Sequence, residues 1–256
     1  MKHASGRVRA DQRLVSQGLA TSRAEAQAMI MAGEVFANEA RIEKAGALVP
    51  NDAILRVTAR KRFVSRGGDK LEHALSIFAE HGLDVASRVC LDVGASTGGF
   101  TDCLLPRGAA KVFAVDVGYG QLAEKLRQDP RVVVRERENA RDLERSSFDA
   151  PPDLVVVDAS FIGIDKLIGA IARVLRPSGD LVALIKPQFE AGREAVAKGR
   201  GVIRDEATRT SAIEAAKAAI EAAGFAIVGE TDSAVKGPKG NVERFVHAVR
   251  GSAADG

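Results

Sequence analysis

Short apolar runs alternating with helical stretches constrain this chain more than any other feature. The runs Val89–Val93, 112–115, 132–134, Leu154–Val157 and 181–185 are rich in Val, Leu and Ile. Such segments suit strands buried on both faces of a parallel sheet. Leu71, Leu75 and Phe78 fall on one helical face before the first run, and residues 100–107, 122–128 and 166–175 carry helical spacing between runs. A long Ala-rich helix over 206–223 ends at Gly224. Two further strands, 225–229 and 244–249, bring the total to seven. Parallel neighbours need crossovers, so the alternation predicts an α/β, doubly wound, mostly parallel seven-stranded sheet of Rossmann-like type.

The first 59 residues follow another pattern. Residues 10–18 and 22–32 read as short helices; Ser22 with Glu25 makes a capping box, and Gly33 stops the second helix. Strand-like alternation over 34–38 and 54–58, with Leu48-Val49 between, completes a small α+β module. The expected organisation is this module over 1–59, a basic linker over 60–68 ending in Gly67-Gly68, the α/β domain over 69–250 and a tail over 251–256. Charge supports the division. Residues 1–70 hold 13 Lys+Arg against 7 Asp+Glu, although the whole chain is only +3. A polyanion contact near the N-terminus follows.

Several classes are disfavoured. There is no apolar run of the roughly 18 residues a membrane helix needs, and no apolar stretch follows Met1-Lys2-His3 as in a signal peptide. Two cysteines, Cys90 and Cys103, form no disulfide framework or metal motif, and His73 and His81 read as surface or packing residues. The expectation is a cytoplasmic protein with no metal and no membrane contact, and a monomer. With no Trp and one Tyr, aromatic platforms on which bases could stack are poorly supplied.

The chemistry concentrates at the predicted strand ends. Asp92-Val93-Gly94-Ala95-Ser96-Thr97-Gly98-Gly99-Phe100 runs from the first strand of the sheet into a helix. Its glycines allow a tight turn and close approach to a ligand, but neither the dinucleotide nor the P-loop spacing is present. Asp92 would repel phosphate and suits a cationic cofactor. Asp116, followed by Val117, ends the second strand, where a carboxylate accepts from ribose hydroxyls. Asn139-Ala140 follows the third, placed to read an adenine edge. The set describes an adenosine-containing cofactor with a positive centre, which S-adenosylmethionine satisfies. Asp158 and Lys186 end the next two strands, at the edge where open α/β sheets bind ligands.

Lys70, Asp158, Lys186 and Glu243 together resemble the Lys-Asp-Lys-Glu tetrad of FtsJ-like ribose 2′-O-methyltransferases. The segments Val64-Ser65-Arg66-Gly67-Gly68-Asp69-Lys70-Leu71, Asp92 to Leu105, Ala114 to Leu122 and Lys186-Pro187-Gln188-Phe189-Glu190 resemble the TlyA family. Arg9 and Asp11, Ser22-Arg23, Ala26-Gln27, Ile30, Gly33 and Asn38 resemble an S4 RNA-binding domain, with Glu39 where such domains usually carry Gly. The resemblance covers nearly the whole chain. It implies methyl transfer from S-adenosylmethionine to a cytidine 2′-hydroxyl of ribosomal RNA within ribosomal subunits.

On that reading Lys70, Asp158, Lys186 and Glu243 are the catalytic set. Lys186 takes the hydroxyl proton, which requires its amine to be neutral; burial and a neighbouring ammonium favour that state and a carboxylate opposes it. Asp158 orients the amine, and Glu243 orients Lys70 or the ribose. Asp92, Gly94, Ala95, Ser96, Gly98, Gly99, Phe100, Asp116, Val117, Asn139, Ala140 and Asp158 hold the cofactor. Arg9, Arg23, Arg60, Arg62, Arg66, Lys236 and Lys239 contact RNA. Two other classes compete: a membrane-lytic protein, since the family also carries a haemolysin name, and a non-catalytic RNA-binding assembly factor. The mixed charge of 206–223 opposes the first, and the complete tetrad opposes the second.

Overall fold

The computed structural model describes residues 6–58, 62–191 and 202–251. The chain divides into two compact units, Met1–Lys61 and Arg62–Gly256.

In the first unit, α1 (Ala10–Ser16) and α2 (Arg23–Met31) pack together beside two small antiparallel sheets. One pairs β1 (Arg7–Arg9) with β4 (Leu48–Pro50); the other orders β3 (Ala40–Arg41), β2 (Val35–Ala37) and β5 (Leu55–Val57). Leu14, Ile30, Val35 and Val49 are buried between them. Ser22 caps α2 by accepting from Glu25 N, and the Glu25 carboxylate accepts in turn from Thr21 N and Thr21 Oγ1. Asn38 occupies the left-handed region at φ 54° and accepts from Ile54 N at 2.9 Å. The β2–β3 turn thus takes its positive φ from asparagine and needs no glycine at position 39.

The second unit opens with α3 (Arg66–Ala79), so Arg66-Gly67-Gly68 is not the end of a linker, as expected from sequence, but a first helical turn capped by Ser65. The glycine at position 68 serves packing: a Cβ there would lie 2.3 Å from Phe63 Cγ.

The main sheet holds β6 (Val89–Val93), β7 (Lys111–Asp116), β8 (Val132–Glu136), β9 (Leu154–Val157), β10 (Asp180–Ile185), β11 (Phe225–Asp232) and β12 (Arg244–Arg250). Their order is β11-β12-β10-β9-β6-β7-β8; β12 is antiparallel to both its neighbours and the other strand pairs are parallel. Helices α3, α4 (Gly99–Leu104) and α5 (Glu124–Arg127) contribute to the apolar layer containing Leu71, Phe78, Leu104 and Leu126. The opposite layer includes residues of α6 (Ile168–Val174) and α8 (Glu206–Ala222). The short α7 (Pro187–Glu190), which the sequence did not suggest, follows β10 directly. Chain order reverses between β6 and β9. Both strands stop there, and the crevice beyond their carboxyl ends is where a doubly wound sheet binds its ligand.

Candidate active site

A two-lobed cleft occupies that crevice. One lobe, about 470 Å³, is lined by Asp116, Glu138, Asn139 and Ala140 with apolar Val115, Val117, Ile162 and Leu167. The second, about 340 Å³, is lined by Ser65, Arg66, Lys70, Ala95, Gly99, Phe100 and Lys186. Gly94, Ser96, Asp158 and Ser160 line both. Volumes of this size suit a small-molecule ligand.

Local structure explains the first lobe. Asp116 ends β7 and accepts from Ser96 N at 2.8 Å through Oδ2 and from Gly118 N at 2.7 Å through Oδ1. Each carboxylate oxygen keeps a further lone pair for a diol. Asn139 Oδ1 caps a turn by accepting from Arg141 N, leaving its amide N–H groups for a ligand. Glu136 accepts from Gln121 N and Leu122 N and pairs with Arg127; these contacts and Gly120 N hold its carboxyl down at about 2. It therefore stays ionised and pins the loop after Asp116.

At the second lobe the four tetrad residues, far apart in sequence, meet. Lys70 Nζ lies 2.5 Å from Glu243 Oε2, and Gln188 Nε2 donates to Glu243 Oε1 at 3.3 Å. Lys186 Nζ lies 2.7 Å from Asp158 Oδ1, 2.9 Å from Ser160 Oγ and 3.3 Å from the Asp158 carbonyl. Both lysines and Glu243 are buried. Burial raises the Asp158 carboxyl above its ordinary range, against the pull of Lys186.

Two residues assigned to the cofactor lie behind the lining. Asp92 is fully buried; its Oδ2 accepts from Thr101 N at 2.9 Å and Thr101 Oγ1 at 2.7 Å, so it anchors the start of α4. Gly98 turns the chain at φ 94° against Leu122 and Leu126. Gly94, Ala95, Ser96, Gly99, Phe100, Val117, Asn139 and Ala140 line the cleft. Among the RNA candidates, Arg66 lines the second lobe, and Arg62 pairs with Glu72 at 2.8 Å. Lys236 and Lys239 are exposed on a loop where a Cβ at Gly237 would collide with the Glu243 carboxylate. Arg9 and Arg23, in the first unit, are both held by the buried Asp11 carboxylate. Arg60 lies outside the described residues. Burial pushes the Cys90 thiol up to about 12 and raises Cys103 as well, so neither is a nucleophile.

Sequence reasoning missed Glu138, Gln121, Ser160 and Phe161. Phe161 is 90% exposed, strained at φ 67° and 5.1 Å from the Phe189 ring. An exposed, strained aromatic at a cleft is a functional signal. The available signal in sequence was an aromatic just past the end of a buried strand.

The buried Asp92 yields a stability prediction. Burial, with Asp158 and Asp116 adding repulsion, raises its carboxyl to about 7. The folded chain then holds a proton that the unfolded chain releases near its ordinary value, about 4. Stability is fullest below that value and is lost as pH rises to about 7. Urea unfolding of the cofactor-free protein at pH 5 and pH 8 should show Asp92→Asn gaining roughly 2 kcal/mol on the native sequence over that interval. Equal gaps at both pH values would refute it.

A seven-stranded sheet of this order, with β12 reversed and a bipartite cleft at its switch point, is the fold of S-adenosylmethionine-dependent methyltransferases. The N-methyltransferase NodS from Bradyrhizobium japonicum shares it, with TM-score 0.52 at 14% identity over 74% of this chain and 99% of that one. The cleft fits the cofactor: a carboxylate for the ribose diol, amide groups for the base and, at the junction, the Asp158 carboxylate for a cationic sulfur.

The chain belongs to the FtsJ-like methyltransferase family, whose model matches residues 63–250, and carries an S4 domain over residues 8–53. Within that family it is a TlyA-type chain. It is 45% identical to the 16S/23S rRNA (cytidine-2′-O)-methyltransferase TlyA of Mycobacterium tuberculosis, over 94% of this chain and 89% of that one. It is 44% identical to Hemolysin A of Brachyspira hyodysenteriae, over 94% and 100%. A solved Streptococcus thermophilus structure, also carrying a hemolysin name, superposes with TM-score 0.73 at 40% identity, over 97% of this chain and 90% of that one.

Proposed function

We propose that this protein methylates the 2′-hydroxyl of cytidine in ribosomal RNA, acting on ribosomal subunits with S-adenosylmethionine as donor. The observation that carries this reading is Lys186 at the base of the second lobe, paired with Asp158 where the two lobes join. When bound, the cofactor supplies an electrophilic methyl group on a cationic sulfur. The chain aligns that group with the incoming hydroxyl. Asp116, Asn139 and the backbone of Gly94–Ser96 hold the nucleoside and the donor chain. Lys186 accepts the hydroxyl proton, and Asp158 orients its amine. Glu243 holds Lys70 beside the ribose, and Arg66 is placed for a phosphate.

Among the described residues no helix is long and apolar enough to cross a membrane. A ribosomal substrate puts the work in the cytoplasm. In the first unit, Arg9 and Arg23 serve as phosphate contacts held by Asp11. Incubation with methyl-labelled cofactor and, separately, small subunits, large subunits and naked ribosomal RNA lacking the modification tests the reading. Label is expected on cytidine ribose in at least one; none in any would overturn it.

Phe161 stands at the mouth with its ring open to solvent. A target base turned out of its helix would stack on it, a contact worth about 1–3 kcal/mol. Phe161→Ala should therefore lower kcat/KM for RNA by roughly tenfold. An unchanged kcat/KM would remove the ring from recognition.

A further inference from the structure

We propose that Ser160 is a further catalytic residue, relaying the proton of the target hydroxyl to Lys186. The proposal rests on the ribose methyl-transfer reading above. Three oxygens surround Lys186 Nζ: Ser160 Oγ at 2.9 Å and the Asp158 carbonyl at 3.3 Å accept hydrogen bonds, and Asp158 Oδ1 is ion-paired at 2.7 Å off hydrogen-bond geometry. An ammonium has three hydrogens and no lone pair, so this arrangement suits the protonated amine. The neutral amine that accepts a proton has two hydrogens and one lone pair.

Of the three oxygens, only the serine hydroxyl can also donate. A carbonyl cannot, and a carboxylate in its ionised form is acceptor-only. The two hydrogens of the neutral amine therefore stay with Asp158, and its lone pair turns to Ser160 Oγ–H. Among the described residues no acceptor takes the Ser160 proton in the present arrangement, so it is free to turn. Position agrees with this role. Ser160 is exposed and lines both lobes, whereas Lys186 is buried and lines only the second. The hydroxyl thus stands between the amine and the cleft.

The step balances. The ribose oxygen forms its bond to the methyl carbon, and the carbon–sulfur bonding pair returns to sulfur, which loses its positive charge. The ribose proton passes to Ser160 Oγ, and the proton already on Ser160 passes to Lys186 Nζ. The ammonium produced is the state that the three oxygens hold. No other reactant is needed.

Single-turnover transfer to unmodified ribosomal subunits tests this, with cofactor affinity measured separately for each variant. Ser160→Ala should slow transfer about 100-fold, the ordinary worth of a proton-transfer group, with cofactor affinity unchanged. Ser160→Thr, which keeps the hydroxyl, should recover the rate to within a few-fold. In mixtures of light and heavy water the native rate should fall along a bowed curve, two protons moving together, and the Ser160→Ala rate along a straight line. A native rate in Ser160→Ala overturns the relay and leaves the methyl-transfer reading standing. So does Ser160→Thr as slow as Ser160→Ala, or a straight line for the native protein. No label transferred by the native protein overturns the reading and the relay together.

Discussion

Lys186→Ala should abolish methyl transfer and leave the cofactor bound. The amine sits at the base of the second lobe, with Asp158 and Ser160 around it. A ribose hydroxyl is a weak nucleophile, and a positioned base contributes typically 10²–10⁴-fold. Truncation also leaves the half-buried Asp158 without its cation, an unfavourable state. The combined expectation is a fall in single-turnover rate of at least about 10³-fold. Cofactor affinity should change little, because the groups assigned to the nucleoside line the other lobe. Lys186→Arg should not rescue the rate, since a guanidinium stays protonated in proteins. Calorimetric titration of the cofactor beside a labelled-methyl assay separates the two effects. Transfer near the native rate in Lys186→Ala would remove this residue as the base.

The fold was legible because its strands are buried on both faces. Continuous runs such as Leu154–Val157, every residue of which is buried, leave few alternatives. Strand ends were legible for the same reason: a charged residue after such a run has reached the sheet edge. Asp116, Asp158 and Lys186 were visible in this way. Lys70 and Glu243 were not visible by pattern, since each sits beside ordinary polar neighbours; only their likeness to a known tetrad marked them. Their side chains meet across 173 residues of chain, a contact no local signal encodes.

Other features misled for physical reasons. Gly67-Gly68 looked like a flexible joint, but there the glycine hydrogens make room for Phe63, Ser65 and α4. Asp92 looked like a ligand group because it precedes the glycines, yet strand alternation turns its carboxylate beneath the loop onto Thr101. Ser160 and Phe161 lie past the end of a strand, where neither periodicity nor burial constrains the residue type.

Gly94→Ala tests whether the junction of the two lobes depends on the backbone itself. Gly94 is at φ 84°, a conformation that costs an L-residue roughly 1–2 kcal/mol. A methyl group there would also lie 2.9 Å from the Asp158 carbonyl oxygen and 3.1 Å from Ala159 Cα. Both obstacles are backbone, so no side chain can swing aside; either the loop after β6 or the end of β9 must move. Movement of the first displaces Ser96, whose N–H is bonded to Asp116, and so disturbs the proposed ribose site. Movement of the second displaces the Asp158 carbonyl and Ser160, and with them Lys186. Either response damages both lobes. Gly94→Ala should therefore lose cofactor affinity by about 10²-fold or more, and stability by about 2–3 kcal/mol, the strain and the overpacking together. Gly82→Ala is a matched control, since it shares a positive φ of 86° but meets nothing within 4 Å. It should cost stability alone, by about 1–2 kcal/mol, and leave cofactor affinity at the native value. If the two variants bound the cofactor equally well, close approach at Gly94 would have no part in shaping the site.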